Sequence, residues 1–373
     1  MIRARAVIDL GAIERNCAEL CGRLTGDATL CAVVKADGYG HGMVRSGEAA
    51  LRGGAALLGV AAATEAAELR DGLPEARVFT MGVLSADELE VALDARAEIG
   101  LWDERFRRLV ASRAEAHGRA CRVHVKYDTG MGRLGESDPE LVLALCEAVH
   151  ADPRLDLTGL WTHLATADED DPAFMHEQLA RFGAIADHAR DRFPGVCVHA
   201  ANSAATLRET AAHFDMVRCG VAIYGLDPFG RDPADQLLRP ALSLRSYVAE
   251  TKPFKQGWSA GYGRQWRAPR DTVVAILPIG YGDGWRRGLT NAADALIDGK
   301  RYPIVGTVSM DNVTVDLGPD PAVRPGAEAV LIGRQEDERI LAEDLARTLG
   351  TINYEITCGI SPRVPREYLG ALP

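Results

Sequence analysis

Lysine is scarce in this sequence. Only five of its 42 basic residues are lysines, and 53 acidic residues give a formal net charge of −11. Such a charge argues against a nucleic-acid partner, which usually needs a basic face. No run approaches the ~18 apolar residues of a membrane span, so no membrane association is expected.

The eight cysteines include no CxxC pair and the N-terminal stretch lacks a secretory apolar region, which predicts a cytoplasmic protein with free thiols. No group of residues has metal-ligand spacing, so no metal is expected.

The first part of the chain alternates short apolar runs with helical patterns. Helix starts are indicated by Asp9, Thr64, Ser85 and Asp138-Pro139. Alternation of this kind predicts parallel pairing, and eight units can close into a (β/α)8 barrel of the TIM type, with a doubly wound open sheet as the alternative. The eight predicted strands cover residues 29–34, 56–61, 77–81, 97–101, 121–127, 155–163, 196–201 and 214–218.

The amino-acid composition changes at residues 226–240, which are rich in proline, aspartate and glycine. Beyond this segment, β-type runs separated by turns predominate, with one short helix predicted near 341–350. We therefore predict a barrel domain over residues 1–232 and a second, mostly β-strand domain over 233–373. A strand near residues 3–9 is a candidate member of the second domain.

Lys35 is the first candidate for chemistry. It follows an apolar strand and opens the glycine-rich turn KADGYGHG, and in βα barrels functional groups lie at the carboxyl ends of strands. Lysine can lose its proton and form an imine, whereas arginine cannot. A lysine kept here, in a chain that otherwise uses arginine, therefore indicates an imine-forming residue.

Other predicted strands also end in polar groups, namely Lys126, His163, Asn202-Ser203 and Arg218. Burying such groups for packing alone would be costly, so their convergence at one barrel mouth favours a site and favours the barrel over the open sheet. The segments after the seventh and eighth strands, where such barrels commonly bind phosphate, are small and amide-rich. A lysine opposite a phosphate site indicates pyridoxal phosphate (PLP).

The motifs resemble those of alanine racemases across nearly the whole chain. The segment VVKADGYGHG is similar to the PLP-attachment signature of that family, and eight further segments agree in order: KYDTGMGRLG, THLATAD, ANSAA, RCGVAIYG, SAGYGRQW, GYGDGWRR, GTVSMDN and YEITCGISPRVPR. Two details depart from the family pattern, namely Tyr127 before DTGMGRLG and the looser SAGYGRQW.

The resemblance implies two catalytic bases on opposite faces of the substrate. Lys35 would form the internal aldimine and act as one base, and Tyr262 would be the other. Tyrosine is a poor base at neutral pH, so Tyr262 needs a cationic neighbour, a role matched by His163. Arg218 matches the residue that faces the pyridine nitrogen of the cofactor. Arginine cannot accept a hydrogen bond, which would leave this nitrogen unprotonated.

The resemblance also assigns the rest of the site. Arg133, Met310 and Tyr281 would contact or limit the substrate, and Lys126 would carry a carbamate that holds Arg133. Tyr262, Tyr281 and Met310 would reach the active site of a partner subunit, which implies a homodimer with composite sites. The residues expected to bind the cofactor are Lys35, Tyr39, His163, Asn202, Ser203, Arg218, Gly220, Val221 and Tyr354.

The function implied is interconversion of L- and D-alanine, supplying D-alanine for peptidoglycan. Two alternatives use the same architecture, namely a racemase of serine or another small amino acid and a PLP decarboxylase. A third alternative, a non-catalytic PLP-carrier barrel, resembles the barrel half alone. The carrier proteins lack a second domain, and with it the counterparts of Tyr262, Met310 and Tyr354.

Overall fold

The structure is a computed structural model, and it describes residues 2–370. No helix in this range is long and apolar enough to cross a membrane. The helices, in chain order, are α1 (Leu10–Gly22), α2 (Lys35–Tyr39), α3 (Met43–Arg52), α4 (Ala63–Gly72), α5 (Ala86–Asp94), α6 (Glu104–Ala116), α7 (Pro139–His150), α8 (Ala173–Arg192), α9 (Ser203–Arg208), α10 (Ala342–Leu349) and α11 (Asn353–Cys358).

The strands fall into a barrel set and a second set. The strands, in chain order, are β1 (Arg5–Asp9), β2 (Thr29–Val33), β3 (Ala55–Val60), β4 (Val78–Thr80), β5 (Glu98–Leu101), β6 (Cys121–Lys126), β7 (Leu155–Trp161), β8 (Cys197–His199), β9 (Met216–Cys219), β10 (Leu242–Tyr247), β11 (Glu250–Phe254), β12 (Ser259–Ala260), β13 (Trp266–Arg267), β14 (Thr272–Leu277), β15 (Asp294–Ile297), β16 (Lys300–Val305), β17 (Val313–Gly318), β18 (Glu328–Gln335), β19 (Glu338–Ile340) and β20 (Arg366–Leu369).

Strands β2 to β9 form a closed parallel barrel. The barrel closes where β2 pairs with β9, with Leu30 opposite Val217, and an open doubly wound sheet has no such pair. The predicted (β/α)8 barrel is therefore confirmed. Side chains from five of the eight barrel strands meet in one buried cluster, which places them inside the barrel: Cys31, Leu57, Phe79, Trp161 and Met216.

Most helix starts follow the predicted capping chemistry. The Ser85 hydroxyl accepts from the Glu88 N–H. The carboxylate of Asp138, which precedes Pro139, accepts from the Glu140 N–H. The prediction for Thr64 is wrong, because α4 already begins at Ala63. The carboxylate of Glu65 instead accepts from backbone N–H groups before this helix.

The chain divides into two compact units, one of residues 13–223 and one that combines the segment ending at Ala12 with the chain from Tyr224 onward. The second unit contains a large sheet in which β1 pairs antiparallel with β10 and parallel with β20. The helix predicted at 341–350 is present as α10, and it is followed by a second helix, α11, that the sequence pattern did not predict.

Candidate active site

Lys35 opens a turn with unusual backbone geometry. The four residues after it have positive φ angles: 53° at Ala36, 51° at Asp37, 61° at Gly38 and 53° at Tyr39. Only one of the four is glycine, and the left-handed conformation costs other residues about 1–2 kcal/mol each. A strained turn of this kind persists only when its surroundings over-determine it. The segment that carries the lysine is thus held in a conformation that local preferences disfavour.

Several hydrogen bonds hold this turn. The Glu65 carboxylate accepts from the Ala36 N–H at 2.7 Å, and also from the Ala61 and Ala62 N–H groups at 2.8 and 3.0 Å. Glu65 therefore ties the turn after β2 to the turn after β3. The ring of His41, which is fully buried, donates from Nδ1 to the carbonyl oxygen of Gly38 or Tyr39, both 3.0 Å away. His41 therefore supports the backbone of this turn.

Arg218 lies in β9 and is 3% exposed. Its Nη1 donates to His199 Nδ1 at 2.9 Å, and its Nη2 donates to the carbonyl oxygens of Thr162 and Ala200 at 2.7 and 2.9 Å. Burial lowers the pKa of Arg218 to about 10, so it remains a cation at neutral pH. Within residues 2–370 the hydrogen bonds of Arg218 come from Nη1 and Nη2 and not from Nε.

His163 follows β7, and its Nδ1 lies 3.3 Å from Nη2 of Arg218. Burial, with the nearby charges of Arg218 and Arg133 and the two lysines Lys126 and Lys35, lowers the pKa of His163 well below its usual value. In the single chain the surrounding positive charge favours the neutral imidazole, and the role of His163 beside Tyr262 stays a prediction. The same set of charges indicates that Lys35, Lys126, Arg133 and Arg218 lie around one point of the barrel mouth.

Lys126 ends β6 and is 2% exposed. Its Nζ lies over the Trp161 ring, 4.4 Å from the centroid, in a cation–π geometry. Burial and the charges of Arg133 and Arg218 lower the pKa of Lys126 to about 8, against a partial opposing effect of Asp128. A buried amine that is partly neutral near physiological pH is chemically different from an exposed lysine.

Arg133 lies in an exposed turn that a single carboxylate organises. Asp128 accepts from the backbone N–H groups of Gly130, Met131, Gly132 and Arg133, at distances of 2.7 to 3.2 Å. Burial acts to raise the pKa of Asp128, but these bonds outweigh it and the pKa is lowered. The ionised Asp128 therefore fixes the backbone from which the Arg133 side chain projects.

The predicted phosphate-binding residues of the barrel meet at the ends of β8 and β9. The Ser203 hydroxyl accepts from the backbone N–H groups of Gly220 and Ala222 at 3.0 and 3.4 Å. A Cβ atom at Gly220 would lie 2.2 Å from the Tyr39 hydroxyl, so only glycine permits this approach. Asn202 caps α9 by accepting from Ala205 at 3.0 Å, and Val221, next to Gly220, is buried.

The candidate residues of the second unit lie in exposed turns. Tyr262, Tyr281 and Met310 are 74%, 43% and 51% exposed in the single chain. The turns of Tyr281 and Met310 are joined, because the Gly282 N–H donates to the Met310 carbonyl at 2.9 Å and a Cβ at Gly280 would lie 2.5 Å from the same oxygen. Tyr262 lies in a separate turn whose carbonyl accepts from the Thr307 hydroxyl.

Sequence reasoning missed the residues that support these turns. Asp283 is 1% exposed, and its carboxylate accepts from the Gly280 N–H at 3.0 Å and pairs with Arg3 and Arg363 at 3.1 and 3.2 Å. An aspartate inside GYGDG, flanked by glycines, was the available signal. Tyr354, the remaining predicted site residue, lies half-buried in α11.

The barrel residues fit PLP in two respects. The Tyr39 hydroxyl closely approaches Gly220, where a Cβ atom would lie 2.2 Å from it, and backbone N–H groups near the ends of β8 and β9 suit a phosphate. The buried Arg218 keeps an Nε–H without an acceptor in the described part of the chain, and this group suits the lone pair of a ring nitrogen.

Fold and site together define a class, namely two-domain enzymes in which a lysine and a buried arginine lie at the mouth of a (β/α)8 barrel that precedes a β-rich domain. Family models of the N-terminal and C-terminal domains of alanine racemase match residues 8–228 and 241–368. The chain belongs to the alanine racemase family.

Individual relatives cover almost the full length of the chain. An alanine racemase of Symbiobacterium thermophilum is 41% identical over 366 residues, which cover 98% of this chain and 97% of that protein. Alanine racemase 1 of Bacillus subtilis is 38% identical, covering 98% of this chain and 92% of its own. The solved structure of the alanine racemase of Streptomyces coelicolor matches with a TM-score of 0.93 at 38% identity, covering 99% of this chain and 98% of that one.

Proposed function

We propose that this chain is an alanine racemase, a cytoplasmic enzyme that interconverts L-alanine and D-alanine with PLP and supplies D-alanine for peptidoglycan. The cofactor assignment rests on the environment of Arg218. This buried cation donates from Nη1 and Nη2 to neutral acceptors only, and its Nε–H remains available to a ligand. Family membership supports the reaction.

PLP, when bound, supplies the electron withdrawal that makes the proton on the substrate Cα removable. Lys35 would hold the cofactor covalently. Its phosphate would be bound by Tyr39, Asn202, Ser203, Gly220, Val221 and Tyr354. Arg218 would face the ring nitrogen as a hydrogen-bond donor, and it would not give up its proton at neutral pH, because even its lowered pKa is about 10. An unprotonated ring nitrogen would moderate the electron withdrawal that the cofactor supplies.

Two bases exchange the proton on opposite faces of Cα. Lys35 serves one face and Tyr262 the other, so that one base takes the proton from one enantiomer while the other base donates a proton to the opposite face. His163 acts as a neutral partner of Tyr262. Its Nδ1 faces the Arg218 donor at 3.3 Å, so its proton resides on Nε2, and this N–H can stabilise the phenolate of Tyr262.

The remaining residues recognise the substrate. Arg133 and the backbone N–H of Met310 bind the alanine carboxylate, and Tyr281 limits the size of the side chain. Lys126 has a pKa of about 8, which leaves part of the amine neutral. Its Nζ lone pair forms an N–C bond to carbon dioxide while one C=O bond becomes a C–O⁻, and Nζ releases one proton to solvent, which gives an anionic carbamate. The resulting anion pairs with Arg133 and holds it in place.

The active enzyme is a homodimer with composite sites. Tyr262, Tyr281 and Met310 are large side chains with 43–74% exposure in the single chain. Family membership supports the dimer, and the exposure of these three side chains leaves them available to a partner. In the proposed dimer, each second unit contributes these three residues to the barrel of the other protomer.

The alternatives differ in what the chain contains. A PLP-carrier barrel has no second domain, but the match to the C-terminal domain model spans residues 241–368, so that alternative is not retained. A decarboxylase is not favoured by any relative reported above. A racemase of serine or another small amino acid is separated from an alanine racemase by assay of a panel of L-amino acids.

The decisive experiment is to add PLP and L-alanine to the purified protein and to measure D-alanine by chiral chromatography. We expect D-alanine to form until both enantiomers are equal. Lys35→Ala should abolish both turnover and the visible absorbance of bound cofactor. Lys255→Ala, which removes an exposed lysine paired with Asp271, is the matched control and should change neither. Survival of both signals in Lys35→Ala would contradict the proposal.

A further inference from the structure

A chain of four buried side chains runs through the barrel interior to Arg218. Glu98 Oε2 lies 2.8 Å from His124 Nε2, His124 Nδ1 lies 2.9 Å from His199 Nε2, and His199 Nδ1 lies 2.9 Å from Arg218 Nη1. All four residues are 0–3% exposed. The chain starts at the amino end of β5 and ends near the carboxyl end of β9, and none of its first three members touches the reacting atoms in the proposed mechanism.

Only one arrangement of protons satisfies all three hydrogen bonds. Arg218 can only donate, so His199 accepts at Nδ1 and carries its proton on Nε2. That proton is donated to His124, whose Nδ1 must then be a lone pair and whose own proton must be on Nε2. The Nε2–H of His124 is donated to the carboxylate of Glu98. Both histidines are neutral in this arrangement, and the negative charge lies at Glu98.

The ionisation of these groups is consistent with that order. Burial lowers the pKa of His199 well below its usual value, with a further contribution from the charge of Arg218, and burial also lowers the pKa of His124. Burial acts to raise the pKa of Glu98, but the hydrogen bond from His124 and the charge of Arg77 outweigh it and the pKa is lowered. Glu98 is therefore ionised and both rings are neutral.

Packing fixes the rings as well as the protons. A Cβ at Gly159 would lie 2.1 Å from His124 Nδ1, so β7 leaves space for this ring only because that residue is glycine. Phe79 stacks on His124 with ring centroids 4.2 Å apart, and Trp161 lies parallel to His199 at 5.9 Å. Neither imidazole can turn over without disturbing the barrel core.

We propose that Glu98, His124 and His199 form a proton-ordered relay that positions the Arg218 guanidinium and stabilises its charge where it meets the cofactor ring. The inference rests on the proposed function, because it gives Arg218 its role there. Arg218 has only neutral partners of its own, and a buried cation is costly without compensating negative charge. Glu98 pairs with Arg77 through Oε1 at 2.7 Å, and through Oε2 it extends its negative charge toward Arg218 along two polarised rings, since hydrogen bonds in such chains strengthen one another.

Neutron diffraction from deuterium-exchanged crystals of the PLP-loaded enzyme tests the relay directly. We expect deuterium on Nε2 of both His124 and His199 and on Nδ1 of neither. Deuterium on Nδ1 of His199, or on both nitrogens of either ring, overturns the proposal. The neutron measurement needs no variant protein and does not depend on catalytic turnover.

Kinetics then test what the relay does for Arg218. Glu98→Gln keeps an oxygen for His124 but removes the charge. We expect kcat to fall about tenfold while KM for alanine stays within about twofold, because partners outside the reacting shell act on orientation and charge rather than on substrate binding. The visible absorbance maximum of the bound cofactor should shift in the same variant.

The matched control is Glu115→Gln, which removes an exposed carboxylate of α6 that pairs with Arg154 and should change kcat by less than about twofold. Equal kcat and equal absorbance in the two variants would overturn the relay. Failure of the proposed function appears differently, as a wild-type protein that forms no D-alanine, and the neutron result still decides the order of the protons in that case.

Discussion

Carbamate formation at Lys126 is open to a quantitative test. With a pKa of about 8 in place of the ordinary 10.5, roughly half of the amines are neutral at pH 8, against about 0.3% for an unperturbed lysine. Only the neutral amine attacks carbon dioxide, so burial raises the reactive fraction by about two orders of magnitude. At a fixed pressure of carbon dioxide, carbamate should therefore increase as the pH rises through 8.

Arg133→Gln is the informative perturbation. The charge of Arg133 is the second cause, after burial, of the lowered pKa of Lys126. Its removal raises that pKa, and each unit regained costs about tenfold in neutral amine when the pH lies below the pKa. The same change removes the cation that would pair with the carbamate. Both effects act in one direction, so carbamate should decrease.

The assay is 13C NMR of the protein under 13C-labelled carbon dioxide. Wild-type protein at pH 8 should give one carbamate carbonyl signal that Lys126→Ala lacks and that Arg133→Gln weakens severely. Arg108→Gln, which removes an exposed arginine of α6, should leave it unchanged. A wild-type spectrum identical to that of Lys126→Ala, or an undiminished signal in Arg133→Gln, would refute the reasoning.

Two further variants test other parts of the site. Tyr262→Phe should abolish exchange of the Cα proton with deuterium for one enantiomer, while exchange for the other enantiomer persists. Tyr302→Phe, at a tyrosine outside the proposed site, is the control and should change neither. Equal losses for both enantiomers would argue against two bases that each serve one face. Glu65→Gln puts an amide nitrogen among three backbone donors, so it should destabilise the protein by about 1–3 kcal/mol and weaken PLP binding. Glu68 is exposed on the same helix, so Glu68→Gln should change neither stability nor PLP binding. A Glu65→Gln protein with unchanged melting temperature and PLP affinity would show that the turn does not depend on the Glu65 carboxylate.

The barrel could be predicted from the sequence because its strands are buried on both faces. Strand β6 shows the pattern, since four of its six residues in succession are buried, and parallel strands read as nearly continuous apolar runs. Each of the eight observed strands lies within about two residues of its predicted bounds. Lys126 at the end of β6 then follows as a group at the mouth, because the carboxyl ends of parallel strands all meet there.

The conformation of the Lys35 turn could not be predicted. Ala36, Asp37 and Tyr39 have positive φ, although local preference places such residues in right-handed or extended regions. The conformation depends on contacts with distant segments, and Glu65 lies 29 positions from the Ala36 N–H that it binds. Local propensity contains no information on such a partner.

The relay was beyond sequence reasoning for a related cause. The alternation of His124 with Lys126 predicts that both face the interior, and both are buried. Nothing in the sequence pairs His124 with Glu98, because that contact depends on the register of β5 against β6, where Gly100 lies opposite His124. Side-chain pairs across strands can be identified only once the register is known.

Burial in the barrel lowers the pKa of a lysine and of an arginine by similar amounts, but the two side chains respond differently. Burial is the first cause of both shifts, and it lowers the pKa of Lys126 to about 8 and that of Arg218 to about 10. The lysine consequently becomes partly neutral near physiological pH and can act as a nucleophile, whereas the arginine stays a cation that only donates hydrogen bonds. Exchanging the two residue types would therefore remove both properties at once, which explains why a chain so rich in arginine retains a lysine at position 126.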